Sequence, residues 1–365
     1  MNRKKQFLLV EPVAKTPYPP LGLMKISSML KDKYPGCSVV EQVGKNEEVT
    51  ILNPEVIYIT SLFTWDFKKL VDVTNFMRWK YPQSEIKIGG IAASLLPQQL
   101  YEETGISPHI GLYDEAENYS PDYTLNFGRK VRTSISFITR GCVRKCQFCT
   151  VNTLEPEFYV KTDWERDISL DLPMITFWDN NWLASPSFRI DCERLTAIGK
   201  RVDFNQGLDA RLYTKKAAGA LSALNLDPVR FAFDDFKCES AVVNAIRLAK
   251  TVTKREISVY VLYNFKDSPE DFYYKINLLN NEKVLAFPMC YREPRSENKV
   301  YPNPPWNSYI LRGLKLSLLF YYRKGMITES RKSFKDIYGT TPESFVAKLY
   351  DIYEYDKNLK RKGTA

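Results

Sequence analysis

Apolar segments recur at nearly constant intervals through the second half of the chain. Their first residues are Met174, Val202, Val229, Ser258 and Leu285, so successive segments begin 28, 27, 29 and 27 residues apart. Between two of them, apolar residues follow helical spacing at Val242, Ile246 and Ala249. Strands and helices that alternate at such an interval predict consecutive βα units. The second half of the chain is therefore predicted to be an α/β domain.

Strand and helix patterns alternate in the first third of the chain as well. Short apolar runs at residues 7–10, 38–40, 56–60 and 86–90 predict strands, and residues 109–112 predict a weak fifth one. Helical stripes lie between them, formed by Leu23, Ile26 and Leu30 and by Leu70, Val73 and Met77. This order predicts a doubly wound parallel sheet, whose ligands bind at the carboxyl ends of the strands.

Three cysteines stand close together just before the repeat. Cys142, Cys146 and Cys149 have the spacing C-x3-C-x2-C, and they follow an apolar segment that predicts a strand ending at Gly141. Three thiols this close in sequence can converge on one soft-metal centre. Three protein ligands also leave one coordination position open, which a catalytic centre needs and a structural one avoids.

Two other interpretations of these cysteines are a zinc site and a set of buried thiols. Zinc would require a fourth ligand, and the one histidine, His109, lies 33 residues before Cys142. Buried thiols rarely stand at ligand spacing in a loop rich in cations, here Arg140, Arg144 and Lys145. Spacing and context together favour a soft-metal centre with an open coordination position over both of these interpretations.

The loop, with the aromatic Phe148 just before the third cysteine, resembles the cluster loop of the radical S-adenosylmethionine (SAM) enzymes. The resemblance implies that Cys142, Cys146 and Cys149 hold a [4Fe-4S] cluster whose remaining iron binds SAM. It also implies an electron from a flavodoxin- or ferredoxin-like donor, which cleaves SAM to a 5′-deoxyadenosyl radical. The cluster strand and the five later segments would then form the family's open six-unit βα barrel.

Polar residues follow the predicted barrel strands, at the end of a βα barrel where functional residues collect. By the same resemblance, Asp179 and Asn180 would accept hydrogen bonds from the SAM ammonium. Gln206 would contact the ribose or the carboxylate, Arg211 would pair with the methionine carboxylate, and Asp234 would accept from ribose hydroxyls. The alternative for each residue is a turn or a helix cap.

The first 120 residues resemble the cobalamin-binding domain that precedes the barrel in one branch of this family. The matching segments are residues 18–23 and 88–94, whereas the D-x-H-x-x-G pattern that supplies a histidine to cobalt is absent. Some members bind cobalamin without a histidine, so a cobalamin cofactor and an empty scaffold both remain open. Radical-mediated methyl transfer is expected if cobalamin binds, and a rearrangement or another modification if it does not.

The predicted fold is α/β, a doubly wound parallel sheet followed by an open six-unit βα (partial TIM) barrel with a helical C-terminal extension. The predicted boundaries are residues 1–120 for the cobalamin-binding-type domain, 121–132 for a linker, 133–300 for the barrel and 301–365 for the extension. A break at residues 302–306, where three prolines cluster, separates the barrel from the extension.

Composition predicts a cytoplasmic globular protein, with 44% hydrophobic and 26% charged residues and no apolar run of membrane length. Seven cysteines in 365 residues are no disulfide framework and suit a reducing compartment. A formal net charge of +9 suits a polyanionic partner or reflects one basic tail. No nucleic-acid motif accompanies the charge, which favours a small-molecule substrate. The alternative of a different class is a non-catalytic, metal-bound nucleic-acid-binding module.

Overall fold

The computed structural model describes residues 4–46, 51, 53–296, 300–322, 327 and 333–362. These divide into two compact units. The first comprises Met1–Cys142, Thr150–Thr176 and Pro294–Lys299, and the second comprises Val143–Cys149, Phe177–Glu293 and Val300–Ala365. Both units contain helices and parallel strands, which confirms the predicted α/β class.

A four-stranded parallel sheet forms the base of the first unit. Its strands are β1 (Gln6–Glu11), β2 (Ser38–Val43), β3 (Val56–Thr60) and β4 (Glu85–Gly89). They lie in the order β2-β1-β3-β4, and every neighbouring pair is parallel. The order changes direction between β1 and β3, so the topological switch point of this sheet lies beside the carboxyl ends of these two strands.

Both faces of this sheet are covered by helices. The longer helices are α1 (Leu21–Lys33) and α2 (Phe67–Lys80). Phe7 and Leu9 of β1 belong to one buried core with the α1 stripe, whereas Leu8 and Val10 belong to a second core with the α2 stripe. Alternate strand residues point to opposite faces, so the two cores lie on opposite sides of the sheet. The doubly wound arrangement is confirmed.

The predicted fifth strand at residues 109–112 was wrong. Residues 109–112 do not form a strand, although His109 N donates one hydrogen bond to Ile88 O of β4 at 2.8 Å. Pro108 has no N–H to donate, and Gly111 turns the chain with a φ of +83°, so the ladder does not continue. The nearby helices are short: α3 (Ile91–Leu95), α4 (Pro97–Thr104) and α5 (Asp114–Glu117).

The predicted strand before the cysteines is present in two pieces. They are β5 (Thr133–Ser136) and β6 (Thr139–Arg140). β6 pairs antiparallel with β7 (Tyr159–Val160), which follows the short helix α6 (Val151–Leu154). β5 belongs to a different sheet from β6 and β7, so the chain leaves that sheet before it reaches β6, which ends two residues before the first cysteine.

The repeat predicted for the second half is present, and its strands begin within one residue of the predicted positions. The strands are β8 (Met174–Phe177), β9 (Arg201–Phe204), β10 (Val229–Ala232), β11 (Ile257–Tyr263) and β12 (Leu285–Cys290). Helices α7 (Phe188–Ile198), α8 (Lys215–Leu221), α9 (Glu239–Val252) and α10 (Pro269–Asn281) alternate with them. β10, β11 and β12 form one parallel sheet in that order.

The C-terminal extension is helical, as predicted. Its helices are α11 (Ser308–Tyr321), α12 (Phe334–Tyr338) and α13 (Pro342–Lys362). Residues 323–326, 328–332 and 363–365 of the predicted extension lie outside the described residues. No helix in the described part of the chain combines the length and the apolar character that a membrane span requires.

Gly313 is expected to tolerate no side chain, because α11 and α13 pack closely there. A Cβ atom at Gly313 would lie 2.1 Å from the carbonyl oxygen of Leu349. Gly313→Ala is therefore expected to lower the free energy of unfolding by about 2 to 3 kcal/mol, measured by urea denaturation. Gly219 in α8 has no atom within 4 Å of its Cβ position, so Gly219→Ala should raise stability by about 0.5 to 1 kcal/mol. Equal effects of the two substitutions would contradict this packing.

Candidate active site

The three cysteines lie on the loop that follows β6. Each is half-buried and none forms a disulfide. Cys142 belongs to the first compact unit, and Cys146 and Cys149 belong to the second. The backbone N–H of Cys149 donates to Cys146 O at 3.1 Å. No three His, Cys, Asp or Glu side chains among the described residues are already arranged to hold a metal ion, so the convergence of the thiols on one centre stays a prediction.

Glu155 fixes the chain just before the first cysteine. Its carboxylate accepts from the backbone N–H of Gly141 at 2.8 Å and from Arg140 Nη2 at 2.7 Å. The Arg140 guanidinium also lies 3.9 Å from the centroid of the Phe137 ring. Gly141 has a φ of +67°, and a Cβ atom there would lie 2.1 Å from Glu157 O. The backbone that leads into the cysteine loop is therefore tightly constrained.

Asp209 is the centre of a hydrogen-bond network in the second unit. Its Oδ2 accepts from Arg144 Nε of the cysteine loop at 3.0 Å and from Asn181 Nδ2 at 3.1 Å. The guanidinium group of Arg211 donates to both carboxylate oxygens of Asp209, from Nε to Oδ1 at 2.6 Å and from Nη2 to Oδ2 at 3.0 Å. The Asp209 side chain is only 6% exposed. One buried carboxylate thus connects the cysteine loop to residues that follow β8 and β9.

Electrostatics keep this carboxylate ionised. Burial alone would raise the pKa of Asp209, but hydrogen bonds from Arg211, Arg144 and Asn181 outweigh it and hold the pKa below its usual value. The pKa of Arg211 is raised, chiefly by the hydrogen bond to Asp209 and further by the charge of that carboxylate, with smaller contributions from Cys238 and Cys146. Cys146 is therefore within electrostatic reach of Arg211.

The residues predicted to contact SAM all lie just beyond barrel strands in the second unit. Asp179 is buried and Asn180 half-buried after β8, Gln206 is exposed after β9, and Asp234 is half-buried after β10. The backbone N–H and the guanidinium group of Arg211 both donate hydrogen bonds to the Asp209 carboxylate. Asp209 thereby caps the helical turn at residues 210–212. The structure brings Arg211 into the Asp209 network, and the contacts of all five residues with SAM stay predictions.

Three residues of this network were not among the site residues predicted from the sequence: Arg144, Asn181 and Asp209. Asn181 is the most informative of them, because its Oδ1 is buried and has no hydrogen-bond donor among the described residues. A buried acceptor without a donor fits a ligand that carries N–H groups. The polar run from Asp179 to Asn181 was the available signal, but the sequence did not single out Asn181.

A second charged group lies at the ends of β10 and β11. Lys275 of α10 is only 1% exposed, donates to Leu262 O at 3.0 Å and has its Nζ 3.5 Å from Asp267 Oδ2. Burial raises the pKa of Asp234 to about 6, although Lys275, Arg211 and the backbone N–H of Leu262 oppose this rise. Asp234 can therefore change its charge between pH 5 and pH 7.

Stability is expected to fall as pH rises from about 4 to about 6 because of Asp234. Its folded pKa of about 6 exceeds its ordinary value of 3.8, so the folded protein binds more protons than the unfolded chain in this window. The protonated carboxyl contributes fully below about pH 4, and its contribution is lost as pH rises through about 6. Asp234→Asn should flatten this part of the profile, measured as urea midpoints between pH 4 and 7. An unchanged slope in the variant would contradict the assignment.

The first unit has a small cleft at the switch point of its sheet. It is lined by residues that follow β1 and β3, among them Lys15, Ser61 and Asp66. Lys15 forms an ion pair with Asp66, and a Cβ atom at Gly90 would lie 2.4 Å from Thr60 Oγ1. Ser61, which directly follows β3, therefore lies in this cleft.

His109 is not part of this cleft lining. Its side chain is exposed, its Nε2 lies 2.7 Å from Leu112 O, and its ring packs edge-on against Tyr113 with the centroids 5.1 Å apart. These contacts are those of a structural histidine.

Comparison with known proteins identifies the fold. No protein-family model matches the chain, and no curated protein matches it. The radical SAM methyltransferase TsrM from Kitasatospora setae, solved with cobalamin and a [4Fe-4S] cluster bound, aligns with 95% of this chain and 85% of its own at a TM-score of 0.63 and 11% identity. TsrM with tryptophan substrate and a SAM analogue bound aligns with 78% of this chain and 73% of its own, at a TM-score of 0.59 and 13% identity.

This likeness confirms the predicted fold class. The chain combines a doubly wound parallel sheet with a second series of βα units, and the alignment with TsrM covers 95% of this chain. At 11% to 13% identity, the shared property is the fold.

Proposed function

We propose that this protein is a radical SAM enzyme in which Cys142, Cys146 and Cys149 hold a [4Fe-4S] cluster. The observation that carries the proposal is the position of the C-x3-C-x2-C loop. The loop follows directly after β5 and β6, in a chain whose fold is similar to that of a radical SAM enzyme. In βα barrels this edge is where catalytic residues collect. Glu155 accepts from the backbone N–H of Gly141, just before the loop, and Asp209 accepts from Arg144 within it. These hydrogen bonds support a functional role for the conformation of the loop.

The donor set fits an iron–sulfur cluster better than zinc. Three thiols on one short loop are soft ligands, and they leave one iron for a non-protein ligand. A structural zinc site needs a fourth ligand. His109, the one histidine, is 33 residues earlier in the sequence and its ring contacts Leu112 O.

The polar residues beyond β8 and β9 fit the methionine part of SAM. Asp179, Asn180 and the buried Asn181 Oδ1 would accept hydrogen bonds from its ammonium group. Arg211 would pair with its carboxylate while Asp209 fixes the orientation of the guanidinium.

Gln206 and Asp234 would bind the ribose hydroxyls of SAM. A cluster held by the three cysteines would supply the electron for reductive cleavage of SAM, the chemistry that allows a hydrogen atom to be removed from the substrate. A flavodoxin- or ferredoxin-like protein would be the electron donor, and a small molecule the substrate.

Anaerobic reconstitution tests the cluster assignment. Protein treated with iron and sulfide is expected to bind about four of each per chain and to give a paramagnetic signal on reduction. Added SAM should change the shape of that signal, because it binds the iron that lacks a protein ligand. Stoichiometric zinc and no cluster would refute the assignment.

We further propose that the first unit binds cobalamin and that the reaction is a methyl transfer. The switch-point cleft between β1 and β3 favours this function, since ligands of doubly wound sheets bind there. The solved relative with the same fold is described as a methyltransferase with cobalamin bound. No histidine lines the cleft, so the cobalt would bind without a histidine from this domain.

A titration with hydroxocobalamin tests this second function. One corrinoid per chain and a change in its visible spectrum are expected. Ser61→Trp, which would fill the cleft, should abolish binding, whereas Trp79→Ala on the exposed surface of α2 should not affect it. Absence of binding would leave the domain as an empty scaffold and would refute cobalamin-dependent methyl transfer.

A further inference from the structure

Two guanidinium groups converge on one buried carboxylate beside the cysteine loop. Arg144 lies two residues before Cys146, and its Nε is 3.0 Å from Asp209 Oδ2. Arg211 occupies both oxygens of the same carboxylate and is within electrostatic reach of Cys146. The Asp209 side chain is only 6% exposed, so solvent screens its charge weakly, whereas the side chains of Arg144 and Arg211 are 34% and 39% exposed.

These charges have opposite effects on a redox centre held by the loop. A cluster gains negative charge on reduction, so nearby cations favour the reduced state and nearby anions favour the oxidised state. The carboxylate of Asp209 compensates part of the charge of Arg144 and Arg211. Its removal would leave two cations uncompensated next to the loop.

We propose that Asp209 is a positioning residue that sets the reduction potential of the cluster by compensating part of the positive charge of Arg144, on the cysteine loop, and of Arg211. The proposal rests on the proposed function, because it requires a cluster at the loop. It assigns this role to a residue whose carboxylate binds the guanidinium groups of Arg144 and Arg211. The carboxylate acts through the two guanidinium groups that it orients and neutralises.

A purely structural role for Asp209 predicts a different result. Asp209 also accepts from the backbone N–H of Arg211 at 3.1 Å and thereby caps a helical turn. If capping were its only role, Asp209→Asn would lower stability or cluster content and leave the potential of assembled clusters unchanged. The reduction potential therefore separates the two roles. Only an electrostatic role predicts that loss of a negative charge raises the potential and that loss of a positive charge lowers it.

The test is a redox titration of reconstituted full-length protein, followed by the paramagnetic signal of the reduced cluster. Asp209→Asn is expected to shift the potential to a more positive value. Arg211→Gln is expected to shift it to a more negative value. The control is Asp203→Asn, because Asp203 forms a similar two-bond pair with Arg230, at 2.8 and 3.0 Å, within strands β9 and β10. Its potential should stay at that of the unsubstituted protein.

Each outcome decides the proposal. Opposite shifts in the two variants, with no shift in the control, support it. Unchanged potentials, or equal shifts in all three variants, overturn it. If Asp209→Asn does not fold, Arg211→Gln decides alone, because its side chain is 39% exposed and its loss should be tolerated. A cluster that never forms in the unsubstituted protein refutes the proposed function itself, and this proposal with it.

Discussion

Alanine in place of Cys149 is expected to reduce the iron content of reconstituted protein at least tenfold, and alanine at Cys142 or Cys146 should do the same. Two thiolates cannot hold a [4Fe-4S] cluster whose remaining iron is reserved for SAM, and water is a poor substitute for a thiolate on iron. The loss is measured as iron and sulfide per chain and as visible absorbance after anaerobic reconstitution.

Cys192 provides the matched control for these variants. It lies in α7, is 4% exposed, and burial raises its pKa to about 12, so it remains a protonated and inert thiol. Cys192→Ala should retain the full cluster content. A similar loss in this variant, or full retention after substitution in the loop, would show that the loop cysteines are not the cluster ligands.

Alanine in place of Gly141 is expected to lower the free energy of unfolding by about 2 to 4 kcal/mol and to abolish cluster assembly. The residue has a φ of +67°, which a side chain disfavours, and its Cβ atom would lie 2.1 Å from Glu157 O and 3.1 Å from Glu155 O. Both contacts are with backbone, which cannot move away as a flexible side chain can. The substitution would displace the backbone just before Cys142, and with it the loop.

Gly22 offers the comparison for Gly141. It lies in α1, and no atom lies within 4 Å of its Cβ position. Gly22→Ala should leave stability unchanged or raise it by a few tenths of a kcal/mol, since alanine is the better helix former. Urea denaturation of both variants, with iron content measured on the same samples, separates a general effect of alanine from a local clash. Equal stability of the two variants would contradict the constraint at Gly141.

Element positions could be predicted from the sequence because local patterns determine them. The starts predicted at Met174, Val202, Val229, Ser258 and Leu285 agree with β8 to β12 to within one residue. Each strand is a short apolar run between polar turns, and the regular interval supports every one of them. The Cys142–Cys149 spacing is equally local.

Side-chain partners could not be predicted because they depend on three-dimensional geometry. Arg144 and Asp209 are 65 residues apart, and the sequence gives only that Asp209 follows a strand. Several polar residues follow the same strand, and their order along the chain does not show which carboxylate turns toward the loop. Glu155 presents the same difficulty, since its role depends on the backbone of Gly141.

Two departures from the predicted strands, one divided strand and one absent strand, have a common physical cause. The segment that contains Phe137 is apolar enough for one strand, but its last part pairs antiparallel with β7, outside the sheet to which β5 belongs. The segment at residues 109–112 is apolar as well, but Pro108 and Gly111 limit it to one ladder hydrogen bond. Apolar character indicates burial, whereas strand pairing depends on which backbone groups have a partner.

Formation of 5′-deoxyadenosine tests the central proposal most directly. Reconstituted protein incubated anaerobically with SAM and a low-potential reductant is predicted to form 5′-deoxyadenosine and methionine in equal amounts, and the Cys149→Ala variant is predicted to form neither. Stoichiometric zinc with SAM left intact would contradict the proposal. That result would favour a metal-bound, nucleic-acid-binding module, to which the formal net charge of +9 would then be relevant.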